Sequence, residues 1–250
     1  MDAATVDDLF ARDRRDDRTA LVDATGREFD VHWLCTTSWK SGNFLRHAGV
    51  REGVTVGVVG EGPLALVAFF GTTLLEAATR FDPPENLEDE DDFRALVAPV
   101  SDLESGEYEL PRGAQRVGYG DRPAEPDVHH FDAGLWSENP SFPPLSVDPQ
   151  TPLLTDGDRT VSHAGALEAA RGVIDEFGLA AGDRVVVRAP FSRVETVVAG
   201  VIAPLVADGV IVLADDADSD RAEPEPRGEY AVSRASVPEA ERIDPTGTID

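Results

Sequence analysis

The sequence contains one cysteine, one lysine and one methionine among 250 residues, and these scarcities exclude several protein classes. Cys35 has no second cysteine to pair with, so an internal disulfide is excluded and a reducing compartment suits the chain. Lys40 is the only lysine among 22 basic residues, so nearly every positive charge is an arginine. No basic patch is available to neutralise phosphates, which argues against nucleic acid as a partner.

The sequence also lacks a long uninterrupted apolar run. Its longest apolar stretch, 197–213, contains Pro204, Asp208 and Gly209, which divide it into a buried helix, a turn and a strand. The first residues, MDAATVDDLF, lack the basic start and apolar centre of a signal peptide. We therefore expect a cytoplasmic protein without a membrane span.

Acidic residues are present in large excess. The chain has 48 Asp and Glu against 22 Lys and Arg, which gives a formal net charge of −26. This balance resembles that of proteins from salt-loving organisms, in which a hydrated acidic surface keeps the chain soluble while salt screens its self-repulsion. Because the acids are spread along the whole chain, adaptation to solvent is favoured over an acidic face for a basic partner.

An internal repeat organises the chain. The segment TALVDATGREFDVHWL (19–34) returns as TPLLTDGDRTVSHAGAL (151–167), and GVREGVTVGVV (49–59) returns as GLAAGDRVVVR (178–188). The repeat predicts two α/β units, each with layered strands flanked by helices. The predicted segments are an α/β unit at 1–84, an acidic, proline-rich connector at 85–150, an α/β unit at 151–216, and an acidic, disordered tail at 217–250.

Local patterns predict the same order of elements in both units: a hairpin, a helix, a strand, an apolar helix and a short strand. The five acids at 88–92 indicate a solvated helix start before Phe93. The main predicted elements are helices at 32–48, 63–77, 165–177 and 194–206, and strands at 54–59, 128–131, 184–187 and 210–213.

The segment TALVDATGREFDVHWL, followed by GVREGVTVGVV, resembles the opening of the AMP-forming acyl-CoA synthetase (ANL) superfamily. In that family a hairpin, a helix, a GVxxGDxV strand and an apolar helix open a first lobe, and a second lobe of similar plan follows. The likeness spans residues 5–215. It implies the ANL N-terminal fold and acid–CoA ligation as the related chemistry. No cofactor is expected for this chain, and ATP, AMP or CoA is the alternative that the resemblance leaves open.

The family places a Thr/Ser/Gly-rich phosphate loop, followed by a lysine, where the second hairpin of this chain lies. Such a loop offers backbone N–H groups and positive charge to a pyrophosphate, whereas two aspartates here add negative charge. The pattern is also typical of a hairpin turn, like that at 24–26 in the first unit. The residues at this degenerate phosphate-loop position are Thr155, Asp156, Gly157, Asp158, Arg159 and Thr160.

The resemblance carries over no catalytic residue. The family's adenine- and ribose-binding motif and its lysine-bearing C-terminal lobe lie downstream of the matched region, and these 250 residues contain neither. We therefore expect no adenylate formation by this chain alone. His163 matches the family's helix start, where a capping or packing role is expected.

Two competing motifs are weaker. Gly60, Gly62 and Asp82 follow the outline of a dinucleotide fingerprint, which would make the chain an NAD-binding oxidoreductase. The equivalent stretch of the second unit, 188–192, has no glycine. Two further pairs, His32 with Cys35 and His129 with His130, do not complete a metal site, so no metal is expected.

The sequence thus favours an ANL-like N-terminal domain that is inactive alone and binds a ligand or a partner, in other words a pseudoenzyme. The alternative is one half of a split acid–CoA ligase that needs a separate C-terminal partner. A dinucleotide-binding oxidoreductase is the third hypothesis. A protein partner or a homo-oligomer is compatible with each of them.

Overall fold

The structure, a computed structural model, describes residues 3–214 and 227–249. Two β-sheets with helices packed against them form the fold, which confirms the predicted α/β class. The chain divides into two compact units, with a six-stranded sheet in unit 1 and a seven-stranded sheet in unit 2. Unit 1 consists of Met1–Cys35, Asp148–Gln150 and Ser162–Asp250, and unit 2 consists of Thr36–Val147 and Thr151–Val161.

The order hairpin, helix, strand, helix, strand occurs twice along the described residues. The strands are β1 (Thr19–Val22), β2 (Glu28–Asp30), β3 (Thr55–Val58), β4 (Ala78–Phe81), β5 (Phe93–Pro99), β6 (Gln115–Tyr119), β7 (Val128–His130), β8 (Pro152–Thr155), β9 (Thr160–Ser162), β10 (Arg184–Val187), β11 (Val210–Leu213), β12 (Tyr230–Val232) and β13 (Glu241–Ile243). The α-helices are α1 (Val31–His47), α2 (Pro63–Thr73), α3 (Val100–Ser105), α4 (Phe131–Ser137), α5 (His163–Phe177), α6 (Val194–Val197) and α7 (Ala203–Val206). Two 3₁₀ helices, Val6–Phe10 and Arg12–Arg14, precede β1, and a π-helical segment, Val198–Ile202, joins α6 to α7.

The two sheets share one plan. The strand order is β13-β12-β10-β11-β1-β2 in unit 1 and β7-β6-β5-β3-β4-β8-β9 in unit 2. The pairs β10–β11 and β3–β4 are parallel, and a hairpin closes one side of each sheet. Strands β3 and β11 are buried along their whole length, because parallel strands with helices on both faces have no solvent face.

Each hairpin joins the sheet of the other half of the sequence. Strand β1 pairs with β11, with Leu21 opposite Ile211, and β8 pairs with β4, with Leu154 opposite Thr79. The units therefore differ from the predicted segments 1–84 and 151–216, because each unit combines a hairpin from one half with the strand-helix-strand of the other. The predicted connector, 85–150, contributes three strands, β5, β6 and β7, to the sheet of unit 2.

Hydrogen bonds show which residues of the two units correspond. The N–H of Gly53 donates to the Glu76 carbonyl at 3.3 Å, and the N–H of Gly182 donates to the Asp208 carbonyl at 3.0 Å. Glu76 and Asp208 have φ values of 57° and 58°, and each lies between a helix and the closing strand. Glu76 in unit 2 is therefore the structural equivalent of Asp208 in unit 1.

Two sequence-based expectations differ from the structure. The residues after the acids at 88–92 form β5 and not a helix, because this apolar run pairs between β3 and β6 inside a sheet. In the region predicted as a disordered tail, β12 and β13 pair in unit 1 and bury Ala231, Val232 and Ile243. Residues 217–226 and 250 of that tail lie outside the described residues.

The helix that follows β10 contains a proline, and the local backbone accommodates it. Pro204 has no N–H and lies just after the π-helical segment, where the Ala203 N–H donates to the Val198 carbonyl five residues back. A wider turn of this kind relieves the clash of a proline ring with the preceding turn. Among the described residues, no helix is both long enough and apolar enough to cross a membrane.

Candidate functional site

The residues at the degenerate phosphate-loop position form a tight turn between β8 and β9 in unit 2. The Asp156 N–H donates to the Arg159 carbonyl at 3.2 Å, which closes the turn. Gly157 has a φ of 99°, a left-handed conformation that glycine adopts without a steric cost. The turn between β1 and β2 likewise contains a left-handed glycine, Gly26, with a φ of 83°.

The N–H groups of the β8–β9 turn already have acceptors inside the turn. The Gly157 N–H donates to Thr155 Oγ1 at 3.1 Å. The Asp156 carboxylate accepts hydrogen bonds from the N–H groups of Asp158 and Arg159 at 3.1 and 2.8 Å. A backbone nest binds an anion through N–H groups that point into open space. In this turn the N–H groups of Asp158 and Arg159 instead donate to the Asp156 carboxylate.

An acidic cavity of about 510 Å³ lies beside this turn, where β3 and β4 begin. Thr155, Gly157 and Thr160 line it, together with one arginine, Arg80, which donates to Glu90 Oε1 at 2.7 Å. The wall carries an excess of negative charge, which repels a polyphosphate. The carboxylates among the described residues lining the cavity are Glu76, Asp89, Glu90, Asp91 and Asp92.

The residues of the alternative dinucleotide site meet at the opposite edge of the same sheet, where β3 and β4 end. The neighbours β4 and β5 lie on opposite sides of β3, which is where open α/β sheets commonly bind ligands. The Gly60 N–H, however, donates to Asp82 Oδ1 at 3.1 Å. Burial raises the pKa of Asp82, and the bond from Gly60 opposes this effect. The Gly60 N–H, which a pyrophosphate would need as a donor, thus already has the Asp82 carboxylate as its acceptor.

The two glycines of this motif have different structural roles. Gly60 has a φ of 95°, and a Cβ atom there would overlap the hydroxyl of Tyr119, which donates to the Val59 carbonyl at 2.8 Å. A Cβ atom at Gly62 would meet no atom within 4 Å. Backbone conformation and packing therefore explain the glycine at position 60 without a nucleotide, while neither requires the glycine at position 62.

His163 is fully buried in unit 1 at the start of α5. Its Nδ1 accepts a hydrogen bond from the Val6 N–H at 3.2 Å and lies 3.8 Å from Asp7 Oδ1. Burial lowers the pKa of His163 to about 4, and the charge of Asp8 opposes this effect. The imidazole is therefore neutral at pH 7, and the arrangement fits the packing role predicted for it.

One buried ion pair in unit 1 carries no signal in the sequence. Arg188 follows β10 and donates through Nε and Nη2 to Glu239 Oε2 and Oε1 at 3.1 and 2.7 Å. The Glu239 side chain has no exposed surface, whereas 16% of the Arg188 side chain is exposed. The partners are 51 residues apart in the sequence, so no local pattern relates them. The only feature of the sequence that could have pointed to this pair is the position of Arg188 directly after a predicted strand.

The two pairs considered as metal ligands, His32 with Cys35 and His129 with His130, are not part of a larger group of potential ligands among the described residues. In the part of the chain that the structure describes, no group of three or more His, Cys, Asp or Glu side chains is arranged to hold a metal ion. Burial raises the pKa of Cys35 to about 11, so its thiol is protonated at neutral pH. His129 Nε2 lies 3.1 Å from Gln115 Oε1, a contact that connects β7 to β6.

Comparison with known proteins identifies the fold. No protein-family model matches the sequence, and no curated protein matches it. Among solved structures, the chain is similar to the anthranilate CoA ligase AuaEII in complex with anthranoyl-AMP, with a TM-score of 0.74 and 17% identity over 92% of this chain. It is also similar to a benzoate CoA ligase from Burkholderia xenovorans LB400, with a TM-score of 0.70 and 17% identity over 91% of this chain. A third similar structure is the nonribosomal peptide synthetase FmoA3, with a TM-score of 0.69 and 22% identity over 88% of this chain.

The chain spans half or less of each of these structures. It covers 49% of the anthranilate ligase chain, 50% of the benzoate ligase chain and 23% of the FmoA3 chain. At these identities the similarity concerns the fold alone. The chain has the fold of the N-terminal domain of ANL-superfamily enzymes, which confirms the resemblance in the sequence.

Proposed function

We propose that this chain is an ANL-type N-terminal domain that forms no acyl adenylate by itself and acts as a ligand- or partner-binding module. The observation that carries the proposal is the turn between β8 and β9, the position at which the resemblance places the phosphate loop. The Asp156 carboxylate accepts the N–H groups of Asp158 and Arg159 there. A triphosphate would have to displace that carboxylate before it could bind the same N–H groups.

Electrostatics supports the same proposal. At about 6 Å, each aspartate of the turn would repel a phosphate oxygen by roughly 0.7 kcal/mol in water, and by several times more where water is excluded. The guanidinium of Arg159 lies 3.7 Å from Asp156, so part of its charge is already balanced. The acidic cavity beside the turn adds further repulsion. Adenylate formation depends on fixed cations and N–H donors around the phosphates. The turn and the cavity beside it carry an excess of negatively charged carboxylates instead.

An exchange assay tests the proposal. The full chain is incubated in molar KCl with ATP, labelled pyrophosphate and, in turn, aliphatic, aromatic and amino acids. We expect no carboxylate-dependent incorporation of label into ATP, while an active acid–CoA ligase run in parallel exchanges. Exchange above background with any acid would disprove the proposal, because exchange requires the adenylate-forming step.

A second candidate, half of a split ligase, is favoured by one observation. The chain covers about half of the matched ligase chains while those structures cover about nine-tenths of it. This hypothesis expects adenylation only after a separate polypeptide is added. Purification of the tagged chain from its native cells, followed by the exchange assay on the purified complex, distinguishes the two candidates. Activity that follows a co-purified protein supports the split ligase, and an inactive complex contradicts it.

A further inference from the structure

The correspondence between the units indicates what the acidic cavity of unit 2 can bind. Asp208 in unit 1 and Glu76 in unit 2 occupy equivalent left-handed positions, and the carbonyl of each accepts the N–H of an equivalent glycine. Each carboxylate is placed at the edge where the parallel strands begin. The groups that pair with Asp208 in unit 1 therefore indicate which groups can pair with Glu76 in unit 2.

In unit 1 two arginine side chains pair with the Asp208 carboxylate. Arg14 Nη2 lies 2.8 Å and Arg18 Nη2 lies 3.2 Å from Asp208 Oδ1, and Arg18 also donates to the Asp208 carbonyl at 3.2 Å. Only 11% of the Arg14 side chain is exposed. Both arginines belong to the segment that precedes β1. The cavity that remains beside them has a volume of only about 10 Å³.

In unit 2 the equivalent position is open. The strand register places Thr151, which precedes β8, where Arg18 precedes β1. Glu76 instead lines the 510 Å³ cavity, and its carboxylate has no ion-pair partner within residues 3–214 and 227–249. Asp89 and Asp91 line the same cavity, whereas Arg80 is already paired with Glu90. Unit 2 thus has the carboxylate of the unit 1 arrangement without its arginines.

We propose that this cavity binds an arginine side chain carried by a basic peptide segment of a partner protein. The guanidinium pairs with Glu76 as those of Arg14 and Arg18 pair with Asp208, and the neighbouring aspartates attract the rest of the segment. The planar guanidinium favours arginine over lysine at a carboxylate. The inference goes beyond the proposed function, because it requires no nucleotide and stands whether or not the chain forms adenylates.

Calorimetric titration of the full chain with tetra-arginine amide, tetra-lysine amide and spermine at fixed ionic strength tests this proposal. We expect tetra-arginine amide to saturate one site and to bind about ten-fold more tightly than tetra-lysine amide. Glu76→Gln removes the pairing carboxylate and is expected to weaken tetra-arginine binding about ten-fold. Glu168→Gln makes the same charge change at an exposed position of α5 and is expected to leave the affinity within about two-fold.

Three results would overturn the proposal. The first is no saturable binding of tetra-arginine amide. The second is equal weakening by both substitutions, which would indicate attraction to a diffuse acidic surface. The third is equal or tighter binding of tetra-lysine amide or spermine. Thermal unfolding verifies that each variant is folded. Glu76→Asn, a residue that suits the left-handed φ of 57°, provides a second variant with the same expected loss of affinity.

Discussion

Protonation of His163 is expected to destabilise the fold at acid pH. The imidazole is buried in unit 1, accepts the Val6 N–H through Nδ1, and has a pKa lowered by burial to about 4. In the unfolded chain its pKa returns to about 6.5. Between these values the unfolded chain binds one more proton than the folded chain. The free energy of unfolding therefore decreases as the pH falls through this interval.

The magnitude follows from the width of the interval. Each pH unit across which the unfolded chain holds the extra proton lowers the free energy of unfolding by about 1.4 kcal/mol. From pH 6.5 to about 4 the total is roughly 3 kcal/mol, and the contribution of neutral His163 is fully present above pH 6.5. His163→Gln removes the titrating ring and keeps an oxygen that can accept the Val6 N–H. The many carboxylates titrate in both proteins, so they cancel in the comparison.

Urea unfolding followed by tryptophan fluorescence in molar KCl measures this effect. We expect the stability of the wild type relative to His163→Gln to fall by about 3 kcal/mol between pH 7 and pH 4. His129→Gln, an exposed histidine replaced in the same way, controls for the loss of an imidazole. If the pH profiles of the wild type and His163→Gln run parallel, His163 is not held neutral by burial and the reasoning fails.

Three further predictions concern stability, measured by urea unfolding at neutral pH. Arg188→Met leaves the buried carboxylate of Glu239 unpaired and should cost about 3–5 kcal/mol, whereas a cost below about 1 kcal/mol would mean that the pair is solvated. Gly60→Ala should cost about 2 kcal/mol or more because of its left-handed φ and the overlap with Tyr119, while Gly62→Ala should stay within about 0.5 kcal/mol; equal costs would contradict this difference. Tyr119→Phe removes the bond to the Val59 carbonyl and should cost about 1 kcal/mol, and no change would mean that this bond contributes nothing.

Local patterns predicted the elements that have strong periodicity. The strand at 184–187 and the closing strand at 210–213 occur at the predicted residues, because buried parallel strands are short, apolar and bounded by turn residues. The apolar helix at 194–206 is also present, although part of it is π-helical around Pro204. These elements depend on interactions between residues that are close in the sequence.

The pairing of distant segments could not be predicted in the same way. The repeat indicated two similar units, but nothing local indicates that β1 pairs with β11 and β8 with β4. Strand β6 (QRVGY) is partly polar and lies inside the predicted connector; the pattern predicts the strand at 128–131, but the pairing of β6 with β5 and β7 becomes apparent only in the folded sheet. The boundaries of the two units thus depend on pairing between distant strands, and they differ from the boundaries that the order of the repeats predicts.

The candidate site shows the same division. The sequence located the turn at 155–160 and identified its two aspartates as unfavourable for phosphate. It could not show that the Asp156 carboxylate accepts the N–H groups that a phosphate loop would offer. The equivalence of Glu76 and Asp208 likewise depends on hydrogen bonds between separate segments, so it became visible only in the structure.

We propose that the β8–β9 turn of this ANL-type fold does not bind the phosphates of a nucleotide, and calorimetric titration with ATP tests this proposal most directly. The titration is performed in molar KCl to screen the acidic surface, and an acyl-adenylate analogue is titrated in parallel. We predict no saturable heat with ATP, because the Asp156 carboxylate already occupies the N–H groups of the β8–β9 turn. Saturable, stoichiometric binding of ATP, with no binding of adenosine, which lacks the triphosphate, would contradict the proposal.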